Sequence, residues 1–139
     1  MIDFNSDLGK HVHERLLNEN VIWLTTVSSD GTPQPNPVWF YWDGDCFIIY
    51  TPPNTAKLKN IDLNPGVSLH FEGATPLGGD VAVFIGNAEV DNSPLKPDPG
   101  YIKKYTKIAT EEWGRTVDDL FEEYSSVIKI QPTKLRGFY

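Results

Sequence analysis

The chain has 139 residues and a formal net charge of −7, with 40% apolar and 22% charged residues. This length predicts one domain over residues 1–139, large enough to bury a core, and the composition indicates a globular protein rather than a disordered one. The negative charge argues against non-specific nucleic-acid binding and against docking on an anionic membrane, because both need a basic surface.

No apolar segment approaches the roughly 20 residues of a membrane span, and the N-terminus lacks the basic-then-apolar pattern of a secretion signal. The single cysteine, Cys46, can form neither an internal disulfide nor a multi-thiolate metal site. No other metal-ligand spacing is present either. These features together predict a cytoplasmic protein without a metal.

The first fifty residues predict a helix followed by three strands. Ser6 and Asp7 can cap a helix that carries Leu8, Val12 and Leu16 on one face and ends near Asn20. Short polar turns separate the predicted strands, which are Val21–Val27, Gln34–Trp42 and Cys46–Thr51.

The middle strand contains Pro35 and Pro37. Proline has no N–H to donate to a neighbouring strand, so part of this strand should lie at a sheet edge or face a cleft. The aromatic block Trp39–Trp42 at its end alternates between two faces, so two side chains could line a ligand while two fill the core.

The remainder predicts a barrel interrupted by helices. A short helix follows Thr55 and stops at Asn64–Gly66, two strands follow, and residues 91–124 form a proline-rich connector and a helical insertion. The predicted late strands are Val67–Glu72, Val81–Val90 and Ser126–Gln131, the last stopped by Pro132, with a short terminal piece over Leu135–Tyr139. This order predicts a mainly β fold, a small closed β-barrel with helical insertions.

The best candidate site is the start of the short helix. Unpaired N–H groups at a helix N-terminus, the hydroxyl of Thr55 as its cap and the ammonium of Lys57 together predict an anion site suited to a phosphate. Surface lysines are common, so a purely solvated role for Lys57 and Lys59 stays open at this point. The three histidines, His11, His13 and His70, share no face or spacing that indicates catalysis.

Three segments carry a resemblance to a known family. They are Asp30–Phe40 (DGTPQPNPVWF), Tyr50–Phe71 with its YT, TAK and NPGV elements, and the tail Tyr124–Phe138. Together they resemble the pyridoxamine 5′-phosphate oxidase-like split β-barrels, and most closely the branch that uses the deazaflavin coenzyme F420. The match omits chiefly residues 1–20 and 91–123.

The resemblance implies an FMN-binding-type split barrel that forms a homodimer, with the cofactor in a cleft between the two barrels. By the same resemblance, Lys57 and Thr55 would hold a cofactor phosphate and Ala56 stands between them where true pyridoxamine phosphate oxidases carry arginine. The remaining residues implied to contact the cofactor are Pro37, Val38 and Trp39 behind its ring and Tyr50 and Thr51 beside it.

The missing arginine bears on which cofactor is bound. The phosphomonoester of FMN carries nearly two charges and is recognised bidentately by arginine, whereas the phosphodiester of F420 carries one. The resemblance therefore implies an F420-dependent reductase that delivers hydride to a small unsaturated or quinone-like acceptor. Two alternatives stay open. One is an FMN-dependent oxidoreductase in which backbone groups, or tail residues such as Lys134 and Arg136 reaching across the dimer, replace the missing arginines; the other is a non-catalytic flavin- or F420-binding protein.

Overall fold

The computed structural model describes residues 2–91, 93 and 95–139. The helices of this described part are α1 (Asp7–Asn18), α2 (Ala56–Leu63), α3 (Pro99–Trp113) and α4 (Val117–Glu123). Its strands are β1 (Val21–Val27), β2 (Pro33–Trp39), β3 (Tyr41–Trp42), β4 (Phe47–Thr51), β5 (Gly66–His70), β6 (Val81–Asp91) and β7 (Ser126–Phe138).

The strands form a single antiparallel sheet in the order β2-β1-β5-β6-β7-β4-β3. Its two edge strands, β2 and β3, are consecutive in the chain and only Phe40 separates them, so the sheet is curled back on itself. The apolar core fills the curl. Its largest fully buried side chains include Phe40, Phe47, Phe84, Ile22, Leu69 and Ile128. The predicted mainly β barrel with helical insertions is confirmed.

The strand predicted over Gln34–Trp42 is instead two strands, and Phe40 is the reason. Its side chain is fully buried, and its N–H donates to the hydroxyl of Tyr105 at 2.8 Å rather than to a neighbouring strand. The ladder is interrupted at this residue, so β2 pairs with β1 while β3 pairs with β4.

The effect predicted for the prolines is confirmed in one strand, whereas the prediction for another strand is wrong. β2, with Pro35 and Pro37, is an edge strand paired only with β1. Pro132 was expected to end a strand, but β7 continues through it to Phe138. The register with β6 shifts there, so that Ile85 faces Lys134 while Gly86 faces Pro132. A bulge accommodates the missing N–H of proline without ending the strand.

Helix α1 is fastened to the barrel by a buried arginine that the sequence did not single out. The Arg15 guanidinium donates to the carbonyl oxygens of Asp80 (2.5 Å) and Glu72 (2.8 Å) and lies 4.7 Å from the Phe71 ring centroid. The guanidinium also forms ion pairs with the carboxylates of Glu19 and Asp80. Within the described residues, none of the helices combines the length and apolar character of a membrane span.

Candidate functional site

A pocket of about 590 Å³ opens where β2, the end of β4 and the start of α2 meet the helices inserted between β6 and β7. The barrel side of its lining consists of Val21, Pro37, Val38, Trp39, Tyr50, Thr51, Pro52, Thr55 and Lys57. The insertion side consists of Tyr101, Tyr105, Trp113, Val117, Leu120, Phe121 and Tyr124. Apolar walls around a few polar groups are typical of a small-molecule site.

The polar end of this pocket is built around Lys57. Its ammonium donates a hydrogen bond of 3.0 Å to the hydroxyl of Thr51, which is 1% exposed at the end of β4. The hydroxyl of Thr55 lies 3.5 Å from that of Thr51. Burial lowers the pKa of Lys57, and no carboxylate of the described residues forms an ion pair with it. A partly desolvated ammonium without a counter-charge favours the binding of an anion.

The local conformation explains why α2 presents these groups. Asn54 adopts a left-handed backbone conformation (φ 65°), which asparagine tolerates well, and the chain then enters α2 through Thr55. Thr55 occupies the cap position, but its side chain makes no capping hydrogen bond. The expectation that its hydroxyl caps the helix is therefore wrong, because that oxygen lies beside Thr51 instead.

Contacts of buried residues in the second half of α2 hold it against the sheet. The Asn60 amide donates to Thr26 (3.0 Å) and to Gln34 (2.8 Å), so α2 is tied to both β1 and β2. Ile61 adds its side chain to the core. These contacts fix the start of the helix relative to the pocket.

The structure brings together seven of the eight residues that the resemblance assigned to the cofactor. Pro37, Val38, Trp39, Tyr50, Thr51, Thr55 and Lys57 all line the pocket. Ala56 is the eighth; it is exposed at the first position of α2 and outside the lining. Lys59 is exposed as well.

The aromatic wall is the part of the site that sequence reasoning did not assemble. Trp39 stacks on Tyr105 with ring centroids 4.5 Å apart and planes within 5°, and Trp113 meets Trp39 edge to face at 5.7 Å. Deeper in the wall, Tyr50 contacts Tyr101 at 4.6 Å. The i, i+4 spacing of Tyr101 and Tyr105 places both side chains on one helix face, but it does not show that this face borders the pocket.

Two tyrosine hydroxyls tether the insertion to the barrel. The Tyr105 hydroxyl accepts from the Phe40 N–H and lies 2.7 Å from the carbonyl oxygens of Phe40 and Asn20. The Tyr50 hydroxyl accepts from the N–H of Asp98, just before α3, at 2.8 Å. Burial raises the pKa of both tyrosines, so each stays protonated at neutral pH.

A half-buried lysine reinforces the same tether. The Lys104 ammonium donates to the carbonyl oxygen of Phe40 at 2.8 Å and lies 3.7 Å from the Phe40 ring centroid. Its burial lowers its pKa from 10.5 to about 8. Lys104 is not part of the pocket lining, so its role in this structure is to hold α3 in place.

Other residues considered from the sequence lie elsewhere. Lys134 and Arg136 line a separate groove between β6, β7 and the N-terminal segment. His11 contacts Asp80 at 2.8 Å and stacks on Tyr139, and His70 stacks on Trp23. None of them borders the pocket within this chain.

Solved structures share this fold. One is an F420 reductase, 28% identical, with a TM-score of 0.63 over 88% of this chain and 94% of that one. A second is HutZ, the heme storage protein of Vibrio cholerae, 16% identical, with a TM-score of 0.64 over 95% of each chain. A third is general stress protein 26 of Bacillus anthracis, 18% identical, with a TM-score of 0.66 over 94% of this chain and 92% of that one. The latter two show the fold alone.

The sequence comparisons point to one family. No curated protein matches the chain, but the family model described as pyridoxamine 5′-phosphate oxidase matches residues 8–138. The predicted split-barrel relationship is thereby confirmed. The chain belongs to the pyridoxamine 5′-phosphate oxidase family.

Proposed function

We propose that this protein is an F420-dependent oxidoreductase that reduces a small unsaturated or quinone-like acceptor. The observation that carries the proposal is the Lys57 ammonium at the polar end of an otherwise mostly apolar pocket. It is partly desolvated, bonded to Thr51 and without a carboxylate partner among the described residues. A bound anion would neutralise the unpaired positive charge of this half-buried ammonium and so stabilise it.

The charge available suits a phosphodiester better than a phosphomonoester. Lys57 is the one cationic side chain among the lining residues, and the position of the family's arginine is the exposed Ala56. One ammonium, two hydroxyls and the first N–H groups of an eight-residue helix match a single negative charge. The donor set therefore fits the phosphate of F420, and the similarity to an F420 reductase supports the same choice.

The aromatic part of the pocket suits the ring of such a cofactor. Pro37, Val38 and Trp39 lie on the edge strand β2, where proline leaves ladder positions open toward the pocket. Tyr50 and Thr51 would lie beside the ring and side chain. When bound, reduced F420 supplies the hydride. The chain's own residues would anchor the phosphate, orient the ring and limit the access of water to the pocket.

The proposal includes a homodimer with the pocket at the cleft between two barrels, and a cytoplasmic location. The net charge of −7 and the absence of any basic stripe in the sequence favour a small-molecule acceptor over nucleic acid or a membrane surface. We assign no general base, because burial keeps Tyr50, Tyr101 and Tyr105 protonated and Lys57 is assigned to the phosphate. We assign no general acid either.

The test is equilibrium binding of F420 and of FMN to the cofactor-free protein, followed by fluorescence, and then hydride transfer from reduced F420 to a panel of acceptors. We expect micromolar or tighter binding of F420, weaker binding of FMN, and turnover with at least one acceptor. Preference for FMN would instead identify an FMN-dependent oxidoreductase. Tight F420 binding without turnover across the panel would identify a cofactor-binding protein, and binding of neither would contradict the proposal altogether.

A further inference from the structure

The insertion side of the pocket has a chemistry of its own. Among the lining residues from α3, α4 and the segments beside them, none is charged, and four of the seven are aromatic rings of tyrosine or phenylalanine. Trp113 adds an indole to this wall. Since the polar groups that would anchor a phosphate all come from β4 and α2, the insertion side is left for an apolar molecule.

Trp113 is the residue of this wall that a second molecule can reach most readily. It is 46% exposed, whereas Tyr101, Tyr105 and Leu120 are buried. A half-exposed tryptophan at the mouth of a pocket leaves a large apolar surface in water unless something covers it. Its position at the last residue of α3, before the left-handed Gly114, places it between the two helices of the insertion.

Neighbouring side chains hold the indole in a defined orientation. Trp39 meets it edge to face at 5.7 Å, Tyr124 does so at 6.2 Å, and the Arg115 guanidinium lies 4.9 Å from its ring centroid. Arg115 is itself held by an ion pair of 2.7 Å with Glu123. A ring fixed in this way can select ligands by shape because little side-chain freedom is lost on binding.

We propose that Trp113 is a specificity-determining residue for the acceptor, and that it selects an uncharged, planar, multi-ring molecule over a non-planar one of the same size. The term acceptor rests on the proposed function; the shape selection by Trp113 does not. The contact with Trp39 places Trp113 at the same end of the pocket as the proposed cofactor ring, close enough to contact an acceptor stacked on the open face of that ring.

The test uses two probes with the same carbon skeleton, neither of which accepts hydride. They are 2-naphthol, which is planar, and its saturated analogue decahydro-2-naphthol, which is not. Equilibrium dialysis measures the binding of each to the cofactor-free protein and to its Trp113→Ala and Trp113→Phe variants. Trp23→Ala is the matched control, because Trp23 stacks on His70 and does not line the pocket.

We expect the unaltered protein to bind 2-naphthol about fivefold to tenfold more tightly than decahydro-2-naphthol, the range expected for one ring–ring contact. Trp113→Ala should abolish this preference, while Trp113→Phe and Trp23→Ala should retain it. Saturating oxidised F420 should leave 2-naphthol bound, because cofactor and acceptor have to share the pocket. Equal binding of the two probes to the unaltered protein, an undiminished preference in Trp113→Ala, or displacement of 2-naphthol by F420 would each overturn the proposal.

This design separates the two proposals. A planar preference that depends on Trp113 in a protein that fails to bind F420 would support the shape selection and contradict the proposed function. Tight F420 binding together with a planar preference that survives Trp113→Ala would support the proposed function and overturn the role of Trp113. In an active enzyme, Trp113→Ala should also raise KM for 1,4-naphthoquinone more than it lowers kcat.

Discussion

The barrel and the helical insertion line the same pocket with opposite chemistry. The barrel and α2 supply its charged group and its two threonine hydroxyls, whereas the insertion supplies an uncharged and mostly aromatic wall. The barrel side is held by strand pairing and by the buried amide of Asn60. The insertion is held by a few side-chain contacts from Tyr50, Tyr105 and Lys104.

This difference suggests how one barrel can serve different acceptors. Polar groups that anchor a phosphate depend on precise placement, and the groups proposed for that role here lie on elements fixed by the sheet. The wall that would meet the acceptor belongs to a separate segment, which can change in sequence without disturbing the strands. Each of the following variants changes one side of the pocket, and the measurement shows whether stability or cofactor binding depends on that side.

Removing the Tyr105 hydroxyl should give the largest effect, and it acts on the insertion. Tyr105→Phe leaves the buried N–H of Phe40 and the carbonyl of Asn20 without that partner. We expect the free energy of unfolding to fall by about 2–3 kcal/mol, the range for buried polar groups left unpaired. Urea denaturation measures this, with the exposed Tyr139→Phe as control. Equal stability of the two variants would mean that the tether is unimportant.

Replacing Lys57, the proposed phosphate anchor, should weaken cofactor binding rather than destabilise the fold. We expect Lys57→Ala to weaken F420 binding by about 1–3 kcal/mol, the scale of a charge-assisted hydrogen bond in a protected site. Lys59→Ala removes the same charge from the exposed face of the same helix and should leave the affinity unchanged. If fluorescence titration gives both variants the affinity of the unaltered protein, Lys57 is merely a solvated helix residue.

Adding charge to the barrel side should change which cofactor is preferred. Ala56 is exposed at the start of α2, so arginine can be placed there without a steric conflict. We expect Ala56→Arg to tighten FMN binding by about threefold to tenfold, since arginine matches the phosphomonoester. Leu77→Arg adds the same charge at a fully exposed loop position and serves as control. An unchanged FMN affinity would show that charge at this position does not decide the cofactor.

The smallest expected effect is a pH dependence from Lys104. Its pKa of about 8 in the folded protein lies below its usual 10.5, so between these values the unfolded chain binds more protons. The free energy of unfolding should therefore rise with pH from about 8 to 9.5. Above that range the buried tyrosines oppose the trend, because burial raises the pKa of Tyr101 and Tyr105. Denaturation of Lys104→Met should show a smaller rise than the unaltered protein, because the lowered pKa of Lys57 still contributes to it. An identical pH profile in the two proteins would contradict the assignment.

Local patterns in the sequence predict much of the barrel. The β-branched run over β1, the Ser6 cap of α1 and the prolines of an edge strand all lie within a few residues of the structure they produce. Pro132 was misread because a proline signal alone does not distinguish the end of a strand from a bulge within it. That choice depends on β6, whose register shift beside Gly86 accommodates the proline.

The candidate site shows the same division between features set by local sequence and features set by tertiary packing. The order and spacing of Thr51, Thr55 and Lys57 are local, so the sequence by itself determined that a helix would begin beside a hydroxyl and an ammonium. Only the tertiary structure decided that Lys57 would be desolvated, that the Thr55 hydroxyl would lie beside Thr51 instead of capping α2, and that Trp113 would meet Trp39. Residues 39 and 113 are far apart in the chain, and their contact depends on how the insertion packs on the curled sheet.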